Sequence, residues 1–202
     1  EPHLIELERA LEEGLVTKFD PAWAYYEHLG QLINLDTISR GELRVVADAM
    51  YGAGRGVIGE LLTRSRTQVF NIRHEMNPGF GGVHPEPIAR HLGLLSSTVQ
   101  SGHYDLGLAT DGDADRIGAV DRQGNFVDPH RIFALVLRYL IEVRGLRGKV
   151  VRTVSTTRMV DRIAAEHGLP VIETPVGFNH IADLMLAGDV LMGGEESGGI
   201  SI

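Results

Sequence analysis

The apolar residues change rhythm along the chain. Leu4, Leu7, Leu11 and Leu15 recur at helical spacing and predict a short amphipathic helix. Asp20 followed by Pro21 is an N-cap and first-turn signal, and after it Ala22, Tyr26, Leu29 and Ile33 mark one face of a second helix. From Leu43 short apolar runs alternate with helical segments. The runs Leu43–Ala47, Gln68–Ile72 and Asp105–Ala109 predict strands, and helices are expected over Gly56–Arg64 and Ile88–Gln100. After a long apolar helix over Ile132–Val143 the order repeats. Strands are expected at Lys149–Thr153, Pro170–Glu173 and Asp189–Met192, with helices at Arg158–His167 and Ile181–Met185.

Strands alternating with helices imply right-handed crossovers and α/β architecture: two tandem three-layer α/β/α units with mainly parallel sheets. The boundary falls near Gly124, giving units over 1–124 and 125–202, the second of them incomplete at its C-terminal end. In both halves an Asp opens the last strand and an acidic glycine-rich loop follows it: Asp105 leads to Asp111, and Asp189 to Glu195. Ligands of such sheets bind beyond the carboxyl ends of the strands, where both loops lie.

Composition narrows the function classes. Hydrophobic residues are 43% and charged ones 23% of 202 residues, so wholesale disorder is excluded. A net charge of −8 argues against a nucleic-acid partner, though not against a small anionic substrate. The lack of cysteine removes disulfides, thiolate metal sites and Cys nucleophiles together. No apolar run approaches the length of a membrane span and no signal peptide opens the chain, so no membrane partner and a cytoplasmic location are the expectation. Glu1 stands where a Met would, which reads as a piece of a longer protein.

Asp111-Gly112-Asp113-Ala114-Asp115-Arg116 is the most informative segment. Carboxylates at alternate positions of a flexible loop converge on one point and repel, which a hard divalent cation relieves. All-oxygen donors suit Mg2+, Mn2+ or Ca2+. An EF-hand is excluded, because Arg116 and Arg122 stand where that loop needs Gly and Glu. Arg116 instead sets a positive fork beside the metal, suited to a phosphate oxygen. The second loop, Gly194-Glu195-Glu196-Ser197-Gly198-Gly199, offers carboxylates and a hydroxyl of the kind that read vicinal sugar hydroxyls.

Other motifs compete. Gly54-Arg55-Gly56-Val57-Ile58-Gly59 matches a dinucleotide fingerprint, but Asp48–Tyr51 make the turn before it too long for close pyrophosphate contact. Asp111 and Asp113 could form a phosphatase nucleophile pair, although Asp115 stands where that arrangement expects Thr or Val. The nine histidines show no metal cluster: His74-Glu75 begins a zinc motif that Pro78 interrupts. Asn77–Gly82 and Pro85–Pro87 are expected to shape a rigid loop.

Taken together, the two loops resemble those of the α-D-phosphohexomutase family, the phosphoglucomutases and phosphomannomutases. Asp111–Arg116 is similar to the family's metal loop and Gly194–Gly199 to its sugar-binding loop. Asp48–Gly54, Asn77-Pro78 with Gly81-Gly82, Pro85–Pro87 and Pro175–Phe178 follow in the family's order. The resemblance implies a four-domain enzyme of which this chain holds the second domain and part of the third, the first and fourth domains being the partners it lacks. It implies interconversion of hexose 1-phosphate and 6-phosphate through a hexose 1,6-bisphosphate, with Mg2+ as cofactor and a phosphoserine as donor. Carried over, Asp111, Asp113 and Asp115 bind the metal and Arg116 lies near the phosphate. Glu195 and Ser197, with Gly194, Gly177 and Asn179, bind the sugar phosphate.

The chain also departs from the family. No Ser-His-Asn phosphoserine run and no Arg/Ser/Gly/Thr phosphate loop occurs in it, so the chain alone is expected to be inactive. Asn179 stands where many members carry Lys, with His180 beside it as a substitute. Gly199 replaces a His of some branches, which leans the loop towards glucose. A non-catalytic Mg2+ or sugar-phosphate-binding module and a dinucleotide-binding domain are the alternative readings.

Overall fold

The computed structural model describes residues 4–202. The chain divides into two compact units, one up to Leu35 and the other from Asp36 onward. The first unit holds α1 (Leu7–Glu12) and α2 (Ala22–Leu32). In α2 the expected face is the half-buried one, with Ala22, Tyr26, Leu29 and Ile33 all turned from solvent. The Asp20 carboxylate accepts the Ala22 N–H at 2.9 Å, satisfying one of the donors a helix start leaves open. The leucine stripe of α1 is not a packing face. Leu4, Leu7 and Leu15 are exposed and Ala10 is the buried residue. The helix stops at Glu12 before a left-handed Gly14, so Leu4 and Leu15 lie outside it and the stripe has no continuous surface.

After α3 (Leu35–Arg40), the second unit builds two sheets. The first comprises β1 (Arg44–Asp48), β2 (Gln68–Ile72), β3 (Leu106–Thr110), β4 (Ile117–Asp121) and β5 (Phe126–Val127), in the order β2-β1-β3-β4-β5. β1 is parallel to β2 and β3, whereas β4 and β5 add antiparallel. The helices α4 (Val57–Leu62) and α5 (Gly93–Ser101) are the crossovers. The core gathers Val46, Met50, Leu92, Leu95, Val99, Ala109 and Val120. Because β1 is covered on both faces, it reads as a continuous apolar run.

The second sheet repeats the scheme with β6 (Lys149–Thr153), β7 (Val171–Thr174), β8 (Val190–Gly194) and β9 (Ile200–Ser201), ordered β7-β6-β8-β9. Three strands are parallel and β9 is antiparallel. Its helices are α6 (Pro129–Arg138), α7 (Met159–Glu166) and α8 (Phe178–Leu186). α6 starts earlier than its apolar run suggested. Asp128 caps it, accepting the Arg131 N–H at 3.0 Å, Pro129 takes the first turn, and the last residues, Tyr139–Val143, widen into a π-helical turn.

The antiparallel strands β4, β5 and β9 were not foreseen. The signal of β4 and β5 is a turn: Asp121 Oδ1 accepts the N–H groups of Gln123 and Asn125 at 2.9 Å, and Gly124 adopts φ 79°. That Asx turn folds β4 back onto β5, so the first sheet runs to Val127.

The repeat in the sequence has a physical counterpart. Asp105, just before β3, accepts the Arg44 N–H on its side chain and returns its own N–H to the Arg44 carbonyl, at 2.9 and 2.8 Å. Asp189, just before β8, accepts the Lys149 N–H on its carbonyl at 2.8 Å and pairs with the Lys149 ammonium at 3.3 Å. In each half an Asp thus clamps the basic residue that opens the central strand.

In the second sheet Arg152 is buried in the middle of β6. It donates to Asp161 of α7 at 2.8 and 2.9 Å and to Glu173 of β7 at 2.8 Å, tying strand to helix and strand to strand. The hydrogen bonds from Arg152 hold the Asp161 carboxyl below the usual carboxylate range, outweighing the opposing effect of burial. A carboxyl with a lowered folded pKa stabilises the fold above its unfolded value, and that contribution is lost as the pH falls through the folded value. Asp161→Asn is therefore expected to cost about 1–3 kcal/mol at neutral pH, discounted for its partial exposure. The difference from wild type should shrink below about pH 4, as urea unfolding at the two pH values would measure.

Candidate functional site

Asp111 follows β3 directly and its side chain is fully buried. A buried carboxylate needs donors, and the loop folds to provide them. Oδ1 accepts the backbone N–H groups of Asp115 and Arg116, both at 3.0 Å, and Oδ2 accepts Arg116 Nε at 2.6 Å. Burial pushes the carboxyl up, but the Arg116 hydrogen bonds win and hold it below its ordinary value. Closing so tight a loop leaves Ala114 in the left-handed region at φ 66°.

Neighbouring segments are shaped to this loop. A Cβ on Gly52 would meet the Gly112 and Asp111 carbonyl oxygens at 2.6 and 2.7 Å, and one on Gly54 would meet Thr110 Oγ1 at 2.6 Å. Of the glycines that suggested a dinucleotide fingerprint, Gly54 is spent on close approach to the end of β3 and Ala114 of the acidic loop, whereas Gly59 packs on Asn71 and Gly56 takes a left-handed turn at φ 72°. On the other side the Gly112 N–H donates to the Pro85 carbonyl at 3.1 Å. The Pro85–Pro87 segment, read as shaping a rigid loop, thus touches the acidic loop.

One ligand atom each from Asp111, Asp113 and Asp115 lies within 4.8 Å of the other two. This all-oxygen set fits a hard divalent cation. Desolvation, and then the like charges of Asp111 and Asp113, raise the Asp115 pKa, a repulsion that a cation would relieve. Arg116 is raised in turn: burial opposes its charge, and the Asp111 carboxylate more than compensates.

The second loop is built from the end of β8. Glu195 Oε1 accepts the Gly177 N–H at 2.8 Å, Ser197 Oγ lies 3.4 Å from Glu195 Oε2, and the Glu195 N–H closes the loop onto the Gly199 carbonyl at 2.9 Å. Gly177 can do this because its backbone, at φ 133°, is one that side chains rarely adopt. Glu196 turns the other way. It accepts Ser155 Oγ at 2.5 Å and Thr153 Oγ1 at 3.1 Å, anchoring the loop to the end of β6. Burial raises its pKa, and these hydroxyls with nearby His130 bring it below the ordinary value.

The two loops meet. The Ile117 N–H of β4 donates to the Gly198 carbonyl at 3.3 Å, and beside this bond opens a cleft of about 530 Å3. Asp113, Asp115 and Arg116 line one side and Glu195, Ser197 and Gly199 the other. Of the expected residues, Asp111 is buried, Gly194 is buried at the end of β8, and Gly177 touches the site through its N–H to Glu195. Asn179 is exposed on α8 and is absent from the cleft lining, its side chain instead folding back towards Gly177. Ile200 and Ser201 line the cleft although nothing in their spacing marked them, and Phe178, the last residue of the Pro175–Phe178 stretch, joins them.

One expectation is corrected. His84, Glu86 and His91 do form a cluster, each offering a potential ligand atom within 4.8 Å of the others. The rigid Pro85 and Pro87 turn and the 3-10 turn Ala89–His91 bring together residues whose spacing matches no helical or strand motif.

Comparison with known proteins agrees with this architecture. The family model "Phosphoglucomutase/phosphomannomutase, alpha/beta/alpha domain II" matches residues 23–124, and that for domain III matches 128–202. The chain is 37% identical to "Probable phosphoglucosamine mutase" of Pyrococcus furiosus over 96% of its length and 44% of the relative's. It is 31% identical to "Phosphoglucomutase/phosphomannomutase" of Thermococcus kodakarensis over 94% of its length and 41% of the relative's. A crystal structure of a protein from Thermus thermophilus, assigned to the phosphomannomutases, superposes with a TM-score of 0.86 at 36% identity, covering 91% of this chain and 42% of that one. The chain thus spans about two fifths of the length of these relatives. Two tandem α/β/α units, matched in order and across nearly their whole extent, make this chain a member of the phosphoglucomutase/phosphomannomutase family, comprising its domains II and III.

Proposed function

We propose that this chain supplies the metal-binding and sugar-binding loops of a phosphohexomutase, which interconverts hexose 1-phosphate and 6-phosphate through a hexose 1,6-bisphosphate, the phosphoserine donor lying outside these residues. The observation that carries the reading is the single cleft with the acidic loop and Arg116 on one side and Glu195 and Ser197 on the other. Its volume, about 530 Å3, suits a small ligand.

In this reading Asp111, Asp113 and Asp115 hold Mg2+, which supplies neutralisation of charge on the transferring phosphoryl group. Asp111 sets the loop while Asp113 and Asp115 face the cleft. Arg116 has its Nε committed to Asp111 and stays charged through the working pH range, so its outer nitrogens present positive charge to phosphate oxygens.

Glu195 has lone pairs left after accepting the Gly177 N–H, and these accept from sugar hydroxyls. The long Ser197–Glu195 contact leaves the Ser197 hydroxyl able to turn to the sugar. Reading two neighbouring hydroxyls rather than a unique end of the ring lets a bisphosphate bind in either orientation. Gly194 and Gly177 set the backbone around Glu195, and Asn179, folded back on Gly177 outside the cleft lining, would have to turn to reach a phosphate. The same reading carries a cytoplasmic location with it.

Calorimetry of the chain with glucose 1,6-bisphosphate, with and without Mg2+, tests this directly. Binding that Mg2+ strengthens supports the reading, and no binding in either condition overturns it. Glu195→Gln should weaken bisphosphate binding by about 1.5–3 kcal/mol, roughly tenfold or more. Asp113→Asn should weaken Mg2+ binding about tenfold or more, and an unchanged Mg2+ isotherm would sink the metal assignment. Glucose 1-phosphate and its bisphosphate should give no turnover with these residues alone; turnover in a coupled assay would mean that the donor lies within the chain.

A further inference from the structure

The loop between β2 and α5 carries chemistry that the phosphohexomutase reading does not use. His84, Glu86 and His91 converge there, with one donor atom of each within 4.8 Å of the others. His84 Nδ1 lies 4.0 Å from Glu86 Oε2, and the two imidazole rings stack at a centroid distance of 5.8 Å. His91 Nδ1 lies 3.0 Å from the Glu86 carbonyl oxygen. A carbonyl only accepts, so Nδ1 is the donor in this contact and Nε2 is the ring nitrogen left for a ligand. A backbone carbonyl orienting a histidine through its other nitrogen is the usual support of a metal-ligating imidazole.

The backbone of this loop is held independently of any ion. The buried Arg73 donates to the His91 carbonyl at 3.3 Å while also pairing with buried Asp48, and the Pro85 carbonyl is fixed by Gly112. Pro85 and Pro87 stiffen the turn on both sides of Glu86. Around a four-coordinate ion with bonds of about 2.0–2.1 Å, donor atoms sit roughly 3.3 Å apart. The His84 ring is 70% exposed and free to close the remaining distance.

We propose that His84, Glu86 and His91 form a second metal site, for a borderline divalent ion such as Zn2+ or Co2+, separate from the acidic loop. Two imidazoles and one carboxylate select such ions over Mg2+, which takes oxygen donors. Arg90 and Arg116 each stand 3.7 Å from Glu86 and compete with an ion for its carboxylate, so the two imidazoles must supply most of the binding. The Arg116 contact also links this loop to the acidic one.

Cobalt titration of the 202-residue chain, followed by its visible d–d absorption and displaced by Zn2+, tests the proposal. Absorption should develop in the wild type, persist in Asp113→Asn, and require about tenfold or more Co2+ in both His84→Ala and His91→Gln. Because His84 is exposed, His84→Ala carries the test even if His91→Gln unfolds, which circular dichroism would reveal. Absorption indifferent to His84→Ala, absorption lost with Asp113→Asn, or none at all would overturn it. Mg2+ binding at the acidic loop is read in its own titration.

Discussion

A carboxylate with no exposed surface sits at the carboxyl end of β3, and the neighbourhood is organised around that fact. Asp111 cannot stay charged there without donors, so two backbone N–H groups and the Arg116 guanidinium wrap it. The wrapping sets a turn so tight that Ala114 goes left-handed and Gly52 must approach without a side chain. It also turns Asp113 and Asp115 outward to the cleft, leaving their mutual repulsion for an ion to relieve. One buried charge thus organises the glycines before the site and the proline loop beside it.

The two halves solve the same problem with different chemistry. Each places an acidic loop after the third of three parallel strands, and each uses an Asp to clamp the basic residue opening the central strand. In the first half the loop's first carboxylate is buried and serves as a frame. In the second, Glu195 stays at the cleft and Glu196 takes the anchoring role, tied to the hydroxyls of Thr153 and Ser155. Division of labour between adjacent glutamates leaves one free to meet a ligand while the other holds the loop. Both loops leave the carboxyl ends of their strands, β3 and β8, and the Ile117–Gly198 bond joins them beside one cleft.

Much of the fold was legible because it depends on local patterns. The buried runs at Val45–Ala47 and Val150–Thr153 mark central strands covered on both faces, and the signal at Asp20-Pro21 marks a helix start, whereas the equivalent cap at Asp128-Pro129 went unread. The leucine stripe of α1 misled because spacing describes a face only while the helix lasts, and this helix ends at Glu12. β4 and β5 went unseen because their evidence lies in the turn at Asp121–Asn125, not in the short strands themselves.

The amino-acid sequence by itself determined the donors of the acidic loop, because Asp111, Asp113 and Asp115 are close enough along the chain that any tight turn brings them together. It also determined the alternation of strand and helix, through side-chain burial repeated at short range. Only the tertiary structure decided which distant groups meet: Arg44 with Asp105, Arg152 with Glu173, the Gly177 N–H with Glu195, and Arg116 across the cleft from Ser197. It decided, too, that Asn179 would stand outside the cleft lining and that His84 would face Glu86 and His91. The reason is physical. Convergence across crossovers follows from how helices pack on sheets, a sum of many weak contacts that no short stretch of sequence contains.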